Sequence, residues 1–354
     1  MEKRRILFIA DNNHYRIWPG KTYYDLLIHI KNFSTKFNIT LCWTDDDPTI
    51  VKHWIADMKP VLIVFFITGC IKAECREFRF VFDLPIPNAC VMLDMFFPYY
   101  ALEDYAVAGS LVHIGKNKSI VSCYQEMFPK KYVGSFCSRF INTEKFKDYQ
   151  LEKKYDILIY GNRKYEYPFK KEKLPSVQKF IERYEQIHNT TITEDAKLNF
   201  YYLRERLEDV IVKNRSDRYK IKVLPRCGIY NAKVTNEYLS MLINQSRLTI
   251  ACSTLADVMM HKYLEISASK SVIVGNIPED YRDLLENNMI EIDYFASDVE
   301  ILQKIDNALE NEENLHEMSS RLYERVHKEH NLDCAITNVE NVLSDLCLYH
   351  QEKN

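Results

Sequence analysis

Glycine is scarce in this 354-residue chain: there are eight, at Gly20, Gly69, Gly109, Gly115, Gly134, Gly161, Gly228 and Gly275. No two stand two positions apart, so the G-x-G-x-x-G fingerprint of classical NAD or FAD sites and of protein-kinase loops is absent. Gly109, Gly115 and Lys116 approach a phosphate loop, but one residue too many separates the glycines and Asn117 replaces the Ser or Thr. The G-x-S-x-G nucleophile elbow is missing as well. A phosphate held by this protein is therefore not held by a glycine-rich loop.

Paired cysteines, long apolar runs and net charge are also lacking. The ten cysteines include no C-x-x-C, and the closest pair is Cys70 and Cys75. Cys70, Cys90 and Cys252 lie in apolar runs, where a thiol packs as a small hydrophobe. The cysteines thus read as reduced thiols of a cytoplasmic protein, the host cytoplasm if the chain is viral, and neither a zinc framework nor a cofactor is expected. The longest apolar run, 60–70, is well short of the roughly 20 residues that span a bilayer. The apolar stretch in MEKRRILFIADNN is too short for a signal peptide. Forty-seven Lys+Arg against fifty Asp+Glu give a net charge of −3, so no global field draws the chain to nucleic acid or anionic membrane.

What is present is an ordinary globular balance, 47% hydrophobic and 27% charged. At roughly 100–200 residues per domain, the length suggests two domains. Strand-length apolar runs occur at 5–10 (RILFIA), 38–43 (NITLCW), 61–68 (VLIVFFIT) and 89–94 (ACVMLD), with weaker ones at 111–114 and 132–133. A helical pattern covers 23–37. Runs apolar on both faces, separated by helix-length stretches, indicate parallel strands covered by helices. The charged stretch 142–154 (NTEKFKDYQLEKK) lacks periodicity and reads as a linker. The alternation then restarts, with strands expected at 155–160 (YDILIY), 220–224, 247–252, 271–275 and 290–292. Helices are expected at 176–187, 196–212 and 236–244, then from 298 to the end with a break near 330–332.

In open parallel sheets, ligands bind beyond the carboxyl ends of the strands, and three such places carry candidate residues. Asp94 ends the run ACVMLD, where a carboxylate is placed either as a general base or as a turn cap. Residues 253–280 (STLADVMMHKYLEISASKSVIVGNIPED) lead from a strand through Ser253 and Thr254 into an expected helix. There Asp257, His261 and Glu265 recur every four residues along one face, either a site or a solvated stripe. Backbone N–H groups at that helix start would suit a phosphate. After YDILIY, Asn162, Arg163 and Lys164, with Lys170 and Lys171 close behind, form a diphosphate-binding loop or a solubilising cluster. The acidic run Asp45–Asp46–Asp47 reads as a solvated turn rather than a metal motif. His14, in the loop after the first strand, is an acceptor contact or an ordinary loop histidine.

The pattern KYLEISASKSVIVGNIP at 262–278 resembles the donor-site helix of GT-B glycosyltransferases, in which a Glu holds the ribose of a nucleotide sugar. Glu265 falls on that Glu, and Asp257 stands eight positions earlier, giving D-x7-E where many retaining members carry E-x7-E. YDILIYGNRK is similar to the first strand and basic loop of the donor domain. LDMFFPYY around Asp94 resembles the catalytic-base segment of inverting phage DNA β-glucosyltransferases, and the second half as a whole resembles group-1-like transferases of bacterial and large-virus surface glycans. One departure is Ser269–Lys270 in place of the usual small-residue-plus-Gly turn.

The resemblance implies an α/β chain of GT-B type: two Rossmann-like domains whose parallel sheets face each other across a cleft. An acceptor domain would span 1–145 and a nucleotide-sugar donor domain 146–333, with a helix at 334–354 returning to the first. It also implies transfer of a hexose, UDP-sugar favoured, to a glycan or glycoprotein hydroxyl, with inversion and without metal. Asp94 would be the base. Glu265, Arg163, Thr254, Ser253, Asp257, Lys164 and Lys262 would hold the donor, and His14 would touch the acceptor. The alternatives are a DNA-base glucosyltransferase and a two-lobed binding protein without chemistry, with an epimerase less favoured because no histidines are evident near the diphosphate.

Overall fold

Continuous apolar runs of strand length, bounded by polar loops, can satisfy their backbone by pairing inside a sheet covered on both faces. A computed structural model shows them doing so. It describes residues 3–12, 22–66, 73–92, 105–136, 139–162, 201–225, 235–255 and 257–353, with isolated positions at 178, 182, 185, 186, 191 and 199. The chain divides into two units, Met1–Arg139 with Leu332–Asn354, and Phe140–Asn331.

The first unit holds strands β1 (Arg4–Ala10), β2 (Phe37–Trp43), β3 (Leu62–Phe66), β4 (Asn88–Met92), β5 (Ser110–Ile114) and β6 (Tyr132–Phe136) in the order β2-β1-β3-β4-β5-β6. Every pairing is parallel. All of β3 and β5 is buried, as a strand covered on both faces requires. Around the sheet lie α1 (Thr22–Phe33), α2 (Pro48–Met58), a 3-10 segment (Ala73–Asp83) and α3 (Lys118–Met127). The acidic run before α2 has local work: Trp43 N donates to Asp46 (2.7 Å), and Asp47 caps α2 by accepting from Thr49 N (2.7 Å). The last helix of the chain, which packs on α1 and β6, is locked to this unit by Glu340. That buried carboxylate accepts from Ser34 Oγ (2.7 Å), Thr35 N (2.5 Å) and Lys36 N (2.9 Å).

The second unit contains β7 (Tyr155–Ile159), α4 (Tyr202–Arg215), β8 (Ile221–Val223), α5 (Asn236–Asn244), β9 (Ser246–Ile250), α6 (His261–Ala268) and β10 (Val272–Gly275). A 3-10 turn (Glu279–Tyr281), α7 (Arg282–Leu285), β11 (Ile290–Glu291), α8 (Asp298–Glu310) and α9 (Glu312–Glu329) follow, before α10 (Leu332–Lys353) crosses into the first unit. The helical tail is thus broken at Asn311 as well as near 330; the Asn311 side chain caps α9 by accepting from Asn314 N. The sheet order is β11-β10-β9-β7-β8, again parallel throughout. In each sheet the first strand lies between the second and third, so the winding reverses there and a switch point opens at the carboxyl ends.

The charged stretch 142–154 is not a loose tether. Phe146 is buried, and Lys153 Nζ donates to the carbonyls of Asn244 (2.6 Å), Ser246 (3.1 Å) and Lys270 (3.0 Å). Burial pushes this ammonium down to about 8. Lys270 occupies the left-handed turn position (φ 58°) after α6 where glycine is usual. Its ammonium pairs with Asp148 at 2.9 Å, which offsets the backbone cost.

Candidate active site

The switch point of the second unit lies between β7 and β9, and the segments leaving those strands meet α6. The β7 segment is Tyr160, Gly161 and Asn162. Tyr160 is buried, and its hydroxyl donates to Glu265 Oε2 at 2.7 Å. Burial, then the neighbouring carboxylate, holds that phenol well above its usual pKa, so it stays a donor. Gly161 has φ 83°, and a Cβ there would collide with Lys262 Nζ. The Lys262 ammonium sits over the Tyr160 ring, 3.3 Å from its centroid. Lys262 and Glu265 are three residues apart on α6 and share a face. The result is an oriented carboxylate beside an ammonium, at a place where the missing Cβ admits close approach.

The segment leaving β9 differs from the expected helix. Residues 251–255 and 257–260 are irregular and α6 begins only at His261, with Met260 as its cap. Side chains dictate this path. Asn276 accepts from Ser253 N (2.9 Å) and donates to Ser253 Oγ (2.6 Å), while its own carbonyl receives the Tyr263 hydroxyl (2.6 Å). Thr254 N donates to the Val258 carbonyl, and Thr254 Oγ1 accepts from Val258 N. Ser253 and Thr254 are both fully buried. Their amides and hydroxyls are spent on the loop, so the anion-binding helix start expected at Thr254 is not there; the first turn of α6 lies seven residues further on.

Asp257 is likewise off the helix. It takes the left-handed conformation (φ 54°), and its carboxylate accepts from Glu279 N at 3.0 Å. Burial raises its pKa to about 7, with Asp280 and Glu279 adding to the effect. The expected stripe therefore reduces to His261 and Glu265, with His261 edge-on to Phe140 at 5.9 Å. Asp94, Arg163, Lys164, His14, Lys170 and Lys171 lie outside the described residues.

Tyr160 and Arg204 were not expected from sequence. Tyr160 reads as the last residue of a strand, and its hydroxyl partner becomes visible only once β7 and α6 are adjacent. Arg204 had a signal: it is a cation on the apolar face that Leu203, Leu207, Val210 and Ile211 make on α4, and all of these are buried.

The chain's fold is shared with solved structures at low identity. It is similar to a sucrose-phosphate synthase from Thermosynechococcus elongatus, with TM-score 0.61 and 10% identity over 97% of this chain and 99% of that one. It is also similar to HepE of Anabaena, solved in complex with UDP and glucose, with TM-score 0.57 and 10% identity over 97% and 100%. A glycosyltransferase from Rickettsia africae gives TM-score 0.52 and 9% identity over 98% and 99%. No curated protein matches the chain by sequence. Two doubly wound parallel sheets with this likeness define the class: it is the GT-B fold of glycosyltransferases. More narrowly, residues 207–341 match the family described as glycosyl transferase-like, a stretch that lies mostly in the second unit. Among the described residues no helix is long and apolar enough to cross a membrane.

Proposed function

We propose that the protein moves a hexose from a UDP-sugar to a hydroxyl of a glycan or glycoprotein, with inversion and without a bound metal. The observation that carries this reading is Glu265, fixed by the Tyr160 hydroxyl at 2.7 Å beside the Lys262 ammonium at the switch point of the second unit. A carboxylate held in one orientation can accept both hydroxyls of a ribose, a charge-assisted contact worth about 1.5–3 kcal/mol. Lys262, the first turn of α6 and the basic pair Arg163 and Lys164 would neutralise the departing diphosphate, the task a divalent cation performs elsewhere. Ser253, Thr254 and Asp257 would shape the donor loop. The UDP and glucose bound to HepE support a uridine donor. Asp94 is the proposed base for the acceptor proton and His14 a proposed acceptor contact. The free thiols of Cys42, Cys90, Cys252 and Cys347 suit a reducing cytoplasm.

Calorimetric titration with UDP and GDP, followed by transfer assays with UDP-sugars and a panel of oligosaccharide acceptors, tests the reading. UDP binding, turnover that survives EDTA, and an Asp94→Asn variant that binds UDP but transfers at least a hundredfold more slowly are expected. Absence of binding to any nucleotide would overturn the donor site. Binding without turnover would leave a two-lobed binding protein.

A further inference from the structure

One side chain of the second unit carries a charge that no carboxylate among the described residues neutralises. Arg204, in the first turn of α4, is 1% exposed. One of its terminal nitrogens donates to the carbonyl oxygen of Asn162 at 2.7 Å and the other to that of Cys252 at 3.1 Å. Nε is buried and makes no hydrogen bond. Among the described residues no carboxylate lies in ion-pair range of it, although Arg206, Arg215, Arg218 and Arg247 of the same unit all have one. The Tyr201 ring lies against the guanidinium, 4.5 Å from its carbon. The ionisable groups that feel Arg204, namely Tyr160, Cys252, Tyr263 and Tyr294, are kept neutral by burial.

A guanidinium does not lose its charge in a protein, and burying a charge without a counter-charge is costly. Two carbonyl bonds alone do not account for that cost, because a neutral amide could donate to carbonyls without it. The placement suggests what does. Asn162 belongs to the segment leaving β7 and Cys252 to the segment leaving β9, the two strands that flank the switch point. Arg204 thus joins the two walls of the place where ligands bind in such sheets.

We infer that Arg204 is a positioning residue for the donor diphosphate: its terminal nitrogens fix the backbone of the segments after β7 and β9, and its unneutralised charge favours an anion between them. The inference rests on the reading of the second unit as the nucleotide-sugar side. Arg204 touches carbonyls rather than the donor, so its effect is electrostatic and conformational.

The test compares UDP with uridine, which lacks the phosphates, by calorimetry and competition. Arg204→Met keeps much of the volume and removes the charge. It is expected to weaken UDP at least tenfold while leaving uridine within twofold of the unaltered protein. Arg204→Lys keeps a charge but cannot span both carbonyls; a three- to tenfold loss for UDP alone is expected, and this variant carries the test should the methionine variant not fold. Unchanged preference for UDP over uridine in the variants, or equal losses for both ligands, would overturn the inference and leave the donor reading intact. An unaltered protein that binds no nucleoside diphosphate would overturn both.

Discussion

Replacing Tyr160 with phenylalanine removes one oxygen atom and with it the 2.7 Å bond to Glu265 Oε2. The ring remains under the Lys262 ammonium, so the cation–π contact is kept. A hydrogen bond to a charged group is worth about 1.5–3 kcal/mol, but Glu265 is only half-buried and water can replace part of it. The expected loss of stability is about 1 kcal/mol, a fall in Tm of about 1–2 °C for a chain of this size. Binding is affected differently. A released Glu265 side chain must be immobilised again when the donor arrives, at about 0.5–1.5 kcal/mol, which weakens UDP about 2- to 12-fold. Glu265→Gln removes the charge itself and should weaken UDP about 10- to 150-fold, the range that 1.5–3 kcal/mol gives. Because Tyr160 acts through Glu265, the double variant should bind UDP no worse than Glu265→Gln alone, a coupling as large as the Tyr160 effect. Calorimetric UDP titration of the four proteins, with the Tm of each, makes the measurement. Additive losses, or unchanged UDP affinity in Tyr160→Phe, would refute the argument that the phenol orients the carboxylate.

Asp257 sets a second expectation. With its folded pKa near 7 against an ordinary 3.8, the native state holds a proton that the unfolded chain releases between those values. Its contribution to stability is therefore full below about pH 4, declines as pH rises toward 7, and falls no further above. Asparagine tolerates the left-handed backbone and does not titrate, so the Tm advantage of Asp257→Asn over the parent should widen from pH 5 to pH 8; parallel curves would contradict this. The glycines make a contrasting pair. Gly275→Ala drives a Cβ into the Ala251 carbonyl, a backbone atom, and should abolish soluble protein. Gly161→Ala meets the mobile end of Lys262 and should fold with about 1–2 kcal/mol of backbone strain yet lose UDP affinity, as thermal melts and titration would show. Glu340→Ala leaves the Ser34 hydroxyl and the Thr35 and Lys36 amides without their acceptor, and should cost about 3 kcal/mol in denaturant unfolding. These hydrogen bonds hold the Glu340 pKa below the usual carboxylate value despite the opposing effect of burial. Its stabilisation should therefore be complete above about pH 4.5 and be lost as pH falls through the lower folded value.

The strands were legible because a strand covered on both faces has one chemical requirement, apolarity at every position. RILFIA, VLIVFFIT and YDILIY meet it, and β1, β3 and β7 lie within a residue or two of those runs. The helix that carries Glu265 was legible for a related reason: its residues Leu264, Ile266 and Ala268 must face a core. The ten residues before that helix were not. Their composition, with Leu255, Val258, Met259 and Met260, has helical spacing, yet Asn276, twenty-three residues away, captures Ser253 and turns the chain aside. Local propensity is a weak prior against such a long-range pair. The stretch 142–154 misled in the opposite sense. Its charges suggested solvent, whereas Asp148 and Lys153 find partners at Lys270, Asn244 and Ser246, residues that composition cannot bring near.

The scarcity of glycine acquires a physical meaning at the switch point. A glycine-rich loop shapes itself around phosphate through backbone freedom, and ordering it consumes conformational entropy. Here the same place has single glycines at two strand ends. Gly161 leaves room for Lys262 and Gly275 for the Ala251 carbonyl. Side chains shape the rest: Asn276 holds Ser253, Thr254 holds Val258, Asp257 holds Glu279, and Arg204 joins Asn162 to Cys252. Each of these bonds joins the chain to itself, so the fold can hold the shape of the site and spare the ligand the cost of ordering it. A site built this way depends on residues that never touch its ligand. Asn276→Ala should therefore weaken UDP without altering any group that could contact it. Retained affinity in that variant would mean that the β9 segment holds its shape by other means.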